Sequence, residues 1–378
     1  MNILHLTTEY PPHIWGGMGR SVPRLCAAQA RAGHQVTVLV YEYLQNRQQV
    51  EIEFRQHCRI VRVPSLDLSL LQAHLDFSGF DIINCHIFFF APLLQQLGLP
   101  FVYTVRSIEA LDLKKRGVTP SADHLKNMDM QKQLVEMAAH LVVCSEAERQ
   151  HVQAYFPDSA PISVVPNGYE VEAGRKMNQR SFARPLKKLL FVGRFTERKG
   201  IDILLGAYAL LLKERPEVQL TIVGGNSGMN DRLFLSKLIE GVDASLLGRV
   251  QYTGWLDDEQ RLDEIYRDHD VLVVPSTYEP FGNIVLEGFA TGIPVVASNI
   301  GGPAEIISHQ WTGWLFQNAD VQDLKNSLME VLDCPPRQLE AITRNAQQAL
   351  LQHYDWKSVA TQTLQVYSVL LRTPVLPS

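Results

Sequence analysis

Two carboxylates, Glu279 and Glu287, bracket the segment Glu279-Pro280-Phe281-Gly282-Asn283-Ile284-Val285-Leu286-Glu287. An apolar run, Val271-Leu272-Val273-Val274-Pro275-Ser276, precedes it. Pro294-Val295-Val296-Ala297-Ser298 and then Gly301-Gly302-Pro303 follow. The order predicts strand, turn, helix, strand and glycine loop. Backbone N–H groups of Phe281, Gly282, Asn283 and Ile284, in the turn and first helical turn, suit a phosphate or a sugar oxygen. Carboxylates accept bonds from hydroxyl groups. Upstream, Arg194 and Lys199 follow a strand that ends in glycine. A diphosphate needs cationic donors, and arginine offers a bidentate fork. These residues together imply a nucleotide-sugar site. A paired-carboxylate hydrolase fits less well. Eight helical steps separate the two acids by about 12 Å along the axis, whereas a glycosidase pair needs about 5–9.5 Å. Looping would shorten that separation, so the geometry prefers the first reading without closing the second.

The elements that must carry these groups alternate between short β-branched runs and helical segments. In the first half the predicted strands are Ile3–Thr7, Val36–Val40, Arg59–Val63, Ile82–His86, Phe101–Thr104 and Leu141–Cys144. Gly16-Gly17-Met18-Gly19 follows the first strand, and Ser21 is the expected cap of a helix with Pro23 in its first turn. No helix is expected to start within the glycines, and GGMG lacks the spacing of a dinucleotide fingerprint. A polar stretch from Glu172 to Pro185 reads as a linker. Strands then resume at Lys188–Gly193, Gln219–Gly224, Val250–Gly254, Val271–Val274 and Val295–Ala297. The pattern predicts two doubly wound α/β domains. Their expected extents are 1–175 and 176–353, with a final helix, 354–378, returning to the first domain. Its apolar face is Trp356, Val359, Ala360, Thr363, Val366, Tyr367 and Leu370. Ligands of open parallel sheets bind beyond the carboxyl ends of the strands. Two such domains facing a central cleft are therefore expected to hold the ligand there.

Composition narrows the class. With 378 residues, 46% hydrophobic and 20% charged, the chain is long enough for two cores. The formal net charge is −5, which argues against a nucleic-acid partner. Cys26, Cys58, Cys85, Cys144 and Cys334 show no CxxC or CxH spacing, so neither a disulfide framework nor a zinc site is expected. No signal peptide and no apolar run of membrane-spanning length is visible, and the expected location is the cytoplasm. Asp268-His269-Asp270 resembles a DxD metal motif but precedes its strand, so no metal is expected. Phe88-Phe89-Phe90 reads as the start of a buried helix, the alternative being an exposed patch for an acceptor or for weak peripheral membrane contact. Trp255 is a candidate platform for a base, and Arg198 is expected to face solvent.

Nearly the whole chain resembles the retaining glycosyltransferases of the GT-B fold, family 4, which include glycogen synthases, sucrose synthases and mannosyltransferases. The resemblance lies in EPFGNIVLE (279–287), VGRFTERKG (192–200), VPNG (165–168) and the early Gly16-Gly17. It implies that Arg194 and Lys199 bind the donor diphosphate and steady the leaving nucleotide. It further implies that Glu279 lies by the donor sugar and that Glu287 binds the ribose hydroxyls. Gly16 and Gly17 would let backbone approach the donor phosphate, and His86 would contact the donor sugar. The implied reaction moves a sugar from a nucleoside-diphosphate donor, a UDP-sugar first, to a hydroxyl acceptor without a cofactor. The acceptor is a polysaccharide, a lipid carrier or a small metabolite. One departure stands out: the family's Thr-x-His pattern reads Thr104-Val105-Arg106 here, which points Arg106 towards a different acceptor. A nucleotide-sugar 2-epimerase on the same fold and a non-catalytic sugar-nucleotide-binding protein remain open as alternatives.

Overall fold

The computed structural model describes residues 1–14, 16–45, 47–170, 180–225, 231–246, 248–256 and 258–372. The linker expected at 172–185 lies outside the described residues up to 179, and so does the boundary placed at 175/176. The chain forms two compact units. The first comprises 1–113, 119–170 and 354–378, and the second 114–118 and 171–353. Five residues, Lys114–Val118, thus leave the first unit to join the second.

In the first unit eight strands form one sheet. They are β1 (Asn2–Thr7), β2 (Gln35–Tyr41), β3 (Glu51–Arg55), β4 (Cys58–Val63), β5 (Ile82–Cys85), β6 (Val102–Thr104), β7 (His140–Val143) and β8 (Ile162–Val164). Their order is β3-β4-β2-β1-β5-β6-β7-β8. All pairings are parallel except β3 with β4. Chain order reverses direction between β1 and β5, which makes their carboxyl ends the switch point of this sheet. The interior strands are buried along nearly their whole length, as covering helices on both faces require. Ile3, Ile82, Val102 and Val142 pack in one cluster with Val359, Ala360 and Tyr367 of the last helix, Trp356–Arg372.

In the second unit the strands are β9 (Lys188–Gly193), β10 (Gln219–Gly224), β11 (Val250–Gly254), β12 (Val271–Val274), β13 (Val295–Ser298) and β14 (Trp314–Phe316). They lie in the order β11-β10-β9-β12-β13-β14, all parallel. This is the 3-2-1-4-5-6 order of a dinucleotide-type fold, with its switch point between β9 and β12. Leu189, Leu204, Leu220, Val271 and Trp314 lie in its core.

Several expectations change. Strands β3, β8 and β14 were not anticipated. Every residue of β3 is exposed and two of its five are glutamates, so it carries no buried pattern. The other two span three residues each. Gly301-Gly302-Pro303 does not form a loop but opens the helix Gly301–Ile306. The helix after β1 starts at Gly17, inside the glycines and four residues before Ser21, and Pro23 sits in its interior. Ser21 instead donates its hydroxyl to the Gly17 carbonyl. Phe88–Phe90 is a 3₁₀ turn leading into the helix Ala91–Leu97. Phe90 is buried, while Phe88 and Phe89 are half-buried and stack towards Tyr43. All five cysteines are free. Among the described residues no helix is long and apolar enough to cross a membrane.

Candidate functional site

The second unit gathers its charged groups at the carboxyl ends of β9 and β12. Arg194 directly follows β9 and is exposed. A 3₁₀ turn, Glu197–Lys199, follows, and Gly200 adopts φ +66° before the helix Ile201–Leu212. A Cβ at Gly200 would lie 2.0 Å from the Pro275 carbonyl oxygen, so only glycine lets this turn sit against the end of β12. The turn is tied down by a bond from the Thr277 N–H to the Arg198 carbonyl (2.8 Å). Lys199 and Glu279 then form an ion pair, Nζ to Oε2, with side chains 18% and 12% exposed. Burial lowers the Lys199 ammonium below the ordinary lysine range despite the attraction of Glu279, and Arg198 and Arg194 add to that lowering. Burial acts to raise Glu279, but Lys199, Arg198 and Arg194 outweigh it and hold the carboxyl below its ordinary value. Three cations therefore act electrostatically on this one carboxylate.

Glu279 is not on a helix. The helix spans Asn283–Thr291, so only half of the segment between the two acids is helical. This removes the basis of the 12 Å separation estimated for a continuous helix. Gly282, at φ +95°, begins that helix, and no side chain caps it. Phe281 is buried. Glu287, one turn into the helix, accepts a bond from the Tyr266 hydroxyl (2.7 Å). Arg198 does not simply face solvent: its guanidinium lies 5.9 Å from the centre of the Tyr278 ring. Trp255 follows β11 and is half-buried, at the sheet edge two strands from β9.

Asp268-His269-Asp270 is occupied structurally. Asp268 pairs with Lys188 (2.8 Å), and Asp270 accepts the N–H groups of Lys187 and Lys188 (2.8 and 2.9 Å). His269 bonds the Ile265 carbonyl and the Thr221 hydroxyl (both 2.7 Å). Among the described residues no group of three or more His, Cys, Asp or Glu could hold a metal ion.

In the first unit the groups collect around the switch point of β1 and β5. Glu9, just past β1, accepts the N–H groups of Gly16 (2.8 Å) and Gly19 (3.2 Å) through Oε2. A carboxylate at a helix start satisfies amides that have no partner within the helix. This is why the helix begins at the glycines without a capping side chain of its own. The Gly16 N–H is therefore bonded within the unit, to Glu9. Sequence reasoning missed Glu9, whose only signal was an acid shortly before the glycines.

His86 directly follows β5 and is 1% exposed. A chain of bonds runs through it: Asn167 Oδ1 to Arg106 Nη1 (2.9 Å), Arg106 Nη2 to His86 Nδ1 (2.9 Å), His86 Nε2 to His5 Nδ1 (2.9 Å) and His5 Nε2 to Gln29 Oε1 (2.8 Å). Arginine has no acceptor. Its bond therefore makes His86 Nδ1 the acceptor and places the His86 proton on Nε2. That proton is donated to His5 Nδ1, and the His5 Nε2–H points at Gln29. Both rings are neutral in this arrangement. Burial lowers His5 to about 4, with Arg106 adding and Gln29 opposing. Burial, then Arg106, then His5 lower His86. Both ring nitrogens of His86 are thus engaged inside the unit. Arg106 was flagged as a departure, but its joining of His86 to Asn167 required the fold, because it reaches across the ends of β5, β6 and β8.

Comparisons with known proteins agree with this architecture. The family model for glycosyltransferase family 4 matches residues 15–173, and that for glycosyl transferases group 1 matches 174–349. A glycogen synthase of Mycobacterium tuberculosis is 29% identical over 97% of this chain and 94% of its own length. A D-inositol 3-phosphate glycosyltransferase of Corynebacterium urealyticum is 30% identical over 79% of this chain and 73% of its own. Among solved structures, sucrose-phosphate synthase from Thermosynechococcus elongatus superposes with a TM-score of 0.77 at 24% identity, covering 98% of this chain and 99% of that one. Anabaena HepE in complex with UDP-glucose gives 0.72 at 19% identity, covering 97% and 99%. With both family models matched in sequence order and the GT-B fold shared with these structures, the chain belongs to glycosyltransferase family 4.

Proposed function

We propose that the chain is a retaining hexosyltransferase that needs no metal and moves a sugar from a UDP-sugar to an acceptor hydroxyl. The observation that carries this reading is the cluster of Arg194, Arg198 and Lys199 around Glu279 at the switch point of the second sheet. In it, residues 176–353 hold the donor and 1–175 the acceptor. Arg194 and Lys199 bind the diphosphate, and the N–H groups of Gly282, Asn283 and Ile284 add donors at the helix start. Glu279 takes the sugar hydroxyls and Glu287 the ribose. The acceptor oxygen attacks C1 on the face from which the diphosphate departs. As the bond from C1 to the phosphate oxygen breaks, the acceptor proton passes to that oxygen. No side chain becomes covalently attached. HepE was solved with UDP and with UDP-glucose, which supports a uridine donor, whereas starch synthase IV of Arabidopsis thaliana was solved with ADP.

A thermal-shift series with UDP, GDP and ADP and their sugars tests the base, because a ligand of the native state raises apparent stability. UDP and UDP-glucose are expected to give the largest shifts. Turnover with EDTA present and the anomeric configuration of the product, read by NMR, test the rest. Loss of turnover in EDTA, or an inverted product, contradicts the proposal. Conversion of UDP-glucose to an epimer without acceptor would mark an epimerase instead.

A further inference from the structure

Arg106 stands at the carboxyl edge of the first sheet, two residues past β6, and is only partly buried. Among the described residues its two side-chain bonds go to neutral acceptors, Asn167 Oδ1 and His86 Nδ1. A guanidinium has five N–H bonds; beyond these two, the Nε–H is buried without a partner among the described residues, and one N–H remains on each of Nη1 and Nη2. Among the described residues no carboxylate lies within ion-pair distance of it. Glu9, the carboxylate whose field reaches it, is bonded to the amides of Gly16 and Gly19. The neighbouring groups are apolar or neutral: Leu25, Val142, Val165 and Trp356 line a small cavity beside Arg106. A cation partly withdrawn from water without a counter-ion carries part of that cost uncompensated. The two fixed bonds hold the guanidinium plane in place across the ends of β5, β6 and β8, where ligands of such sheets bind.

We propose that the acceptor carries an anionic group, a phosphate or a carboxylate, which supplies the missing counter-charge to Arg106. The inference builds on the reading that the first unit binds the acceptor, and it narrows the acceptor to sugars or polyols bearing a negative charge. The bonds to His86 and Asn167 act as a bracket: they aim the remaining N–H groups and spare the ligand the cost of ordering the side chain.

The test is calorimetric titration of the full chain, saturated with UDP, with glucose, glucose 6-phosphate and glucuronate. The wild type is expected to bind at least one of the two anions about tenfold or more tightly than glucose. Inorganic phosphate should compete with that anion. Arg106→Gln should erase the preference, and Arg106→Lys should keep part of it, since charge survives and the fork does not. Equal binding of glucose and both anions, or no binding of either anion, would overturn the proposal. So would a preference that persists in Arg106→Gln. Should that variant fail to fold, the wild-type ranking and the phosphate competition still decide. Preference for phosphate over carboxylate, or the reverse, identifies the anion. UDP binding is a separate arm: its absence sinks the donor reading and leaves the anion ranking to be judged alone.

Discussion

Lys199 Nζ and Glu279 Oε2 meet across the switch point of the second sheet, one carried by the turn after β9 and the other by the loop after β12. The pair joins residues 80 positions apart and orders both loops at once. It also divides the consequences of mutating the two basic residues. Arg194→Ala removes an exposed side chain and should leave stability within about 0.5 kcal/mol. Turnover should fall by about 10²–10³-fold if it stabilises the departing diphosphate. Lys199→Ala should lower turnover comparably and cost a further ~1–3 kcal/mol, because Glu279 loses its partner in a mostly buried position. Urea unfolding beside initial rates separates these outcomes; near-normal rates in both variants would remove the assignment.

Gly200 tests whether that turn must keep its backbone shape. An alanine there would have to occupy φ +66° with its Cβ against the Pro275 carbonyl. Gly200→Ala should therefore destabilise the second unit by more than ~1 kcal/mol and lower turnover by displacing Lys199. A variant as stable and as active as the wild type would show that the turn relaxes freely.

Glu9 should matter for stability in the first unit. Glu9→Ala removes the acceptor of the Gly16 and Gly19 N–H groups, at an expected cost of about 1–2 kcal/mol. Hydrogen exchange should report the loss in the first turn of the helix Gly17–Arg31. Unchanged protection there would mean that solvent replaces the carboxylate without penalty.

The buried histidine pair makes stability depend on pH with a definite sign. His5 is lowered from 6.5 to about 4, so between those values the unfolded chain binds the proton that the folded chain refuses. The neutral ring's contribution is fully present above pH 6.5 and is lost as pH falls towards 4. Its size is roughly 3 kcal/mol for a shift of this extent. The denaturation midpoint of the wild type should fall more steeply over this window than that of His5→Asn. Parallel curves for the two proteins would show that His5 does not titrate against folding.

Much of the architecture is legible in local pattern. Strand runs such as Val36–Val40 and Val271–Val274 announce themselves because a strand covered on both faces must be apolar throughout. Glycines 193, 224 and 254 mark strand ends because the chain turns there. The edge strand β3 escaped the same logic: Glu51-Ile52-Glu53-Phe54-Arg55 is held by backbone pairing to β4 and not by burial. The helix start at Gly17 escaped because its capping group, Glu9, lies ten residues before Gly19 and reaches it only through the intervening turn.

The linear order of residues sufficed to establish two doubly wound halves, their glycine punctuation and the family motifs, since each depends on neighbours within one strand, turn or helix. Folding alone decided which side chains became partners: Lys199 with Glu279, Glu9 with the glycine amides, Arg106 with His86 and Asn167. A side-chain bond between residues 20 to 80 positions apart is set by strand order and by the directions in which loops leave the sheet. Those are properties of the packed sheet, and no stretch of sequence spells them out.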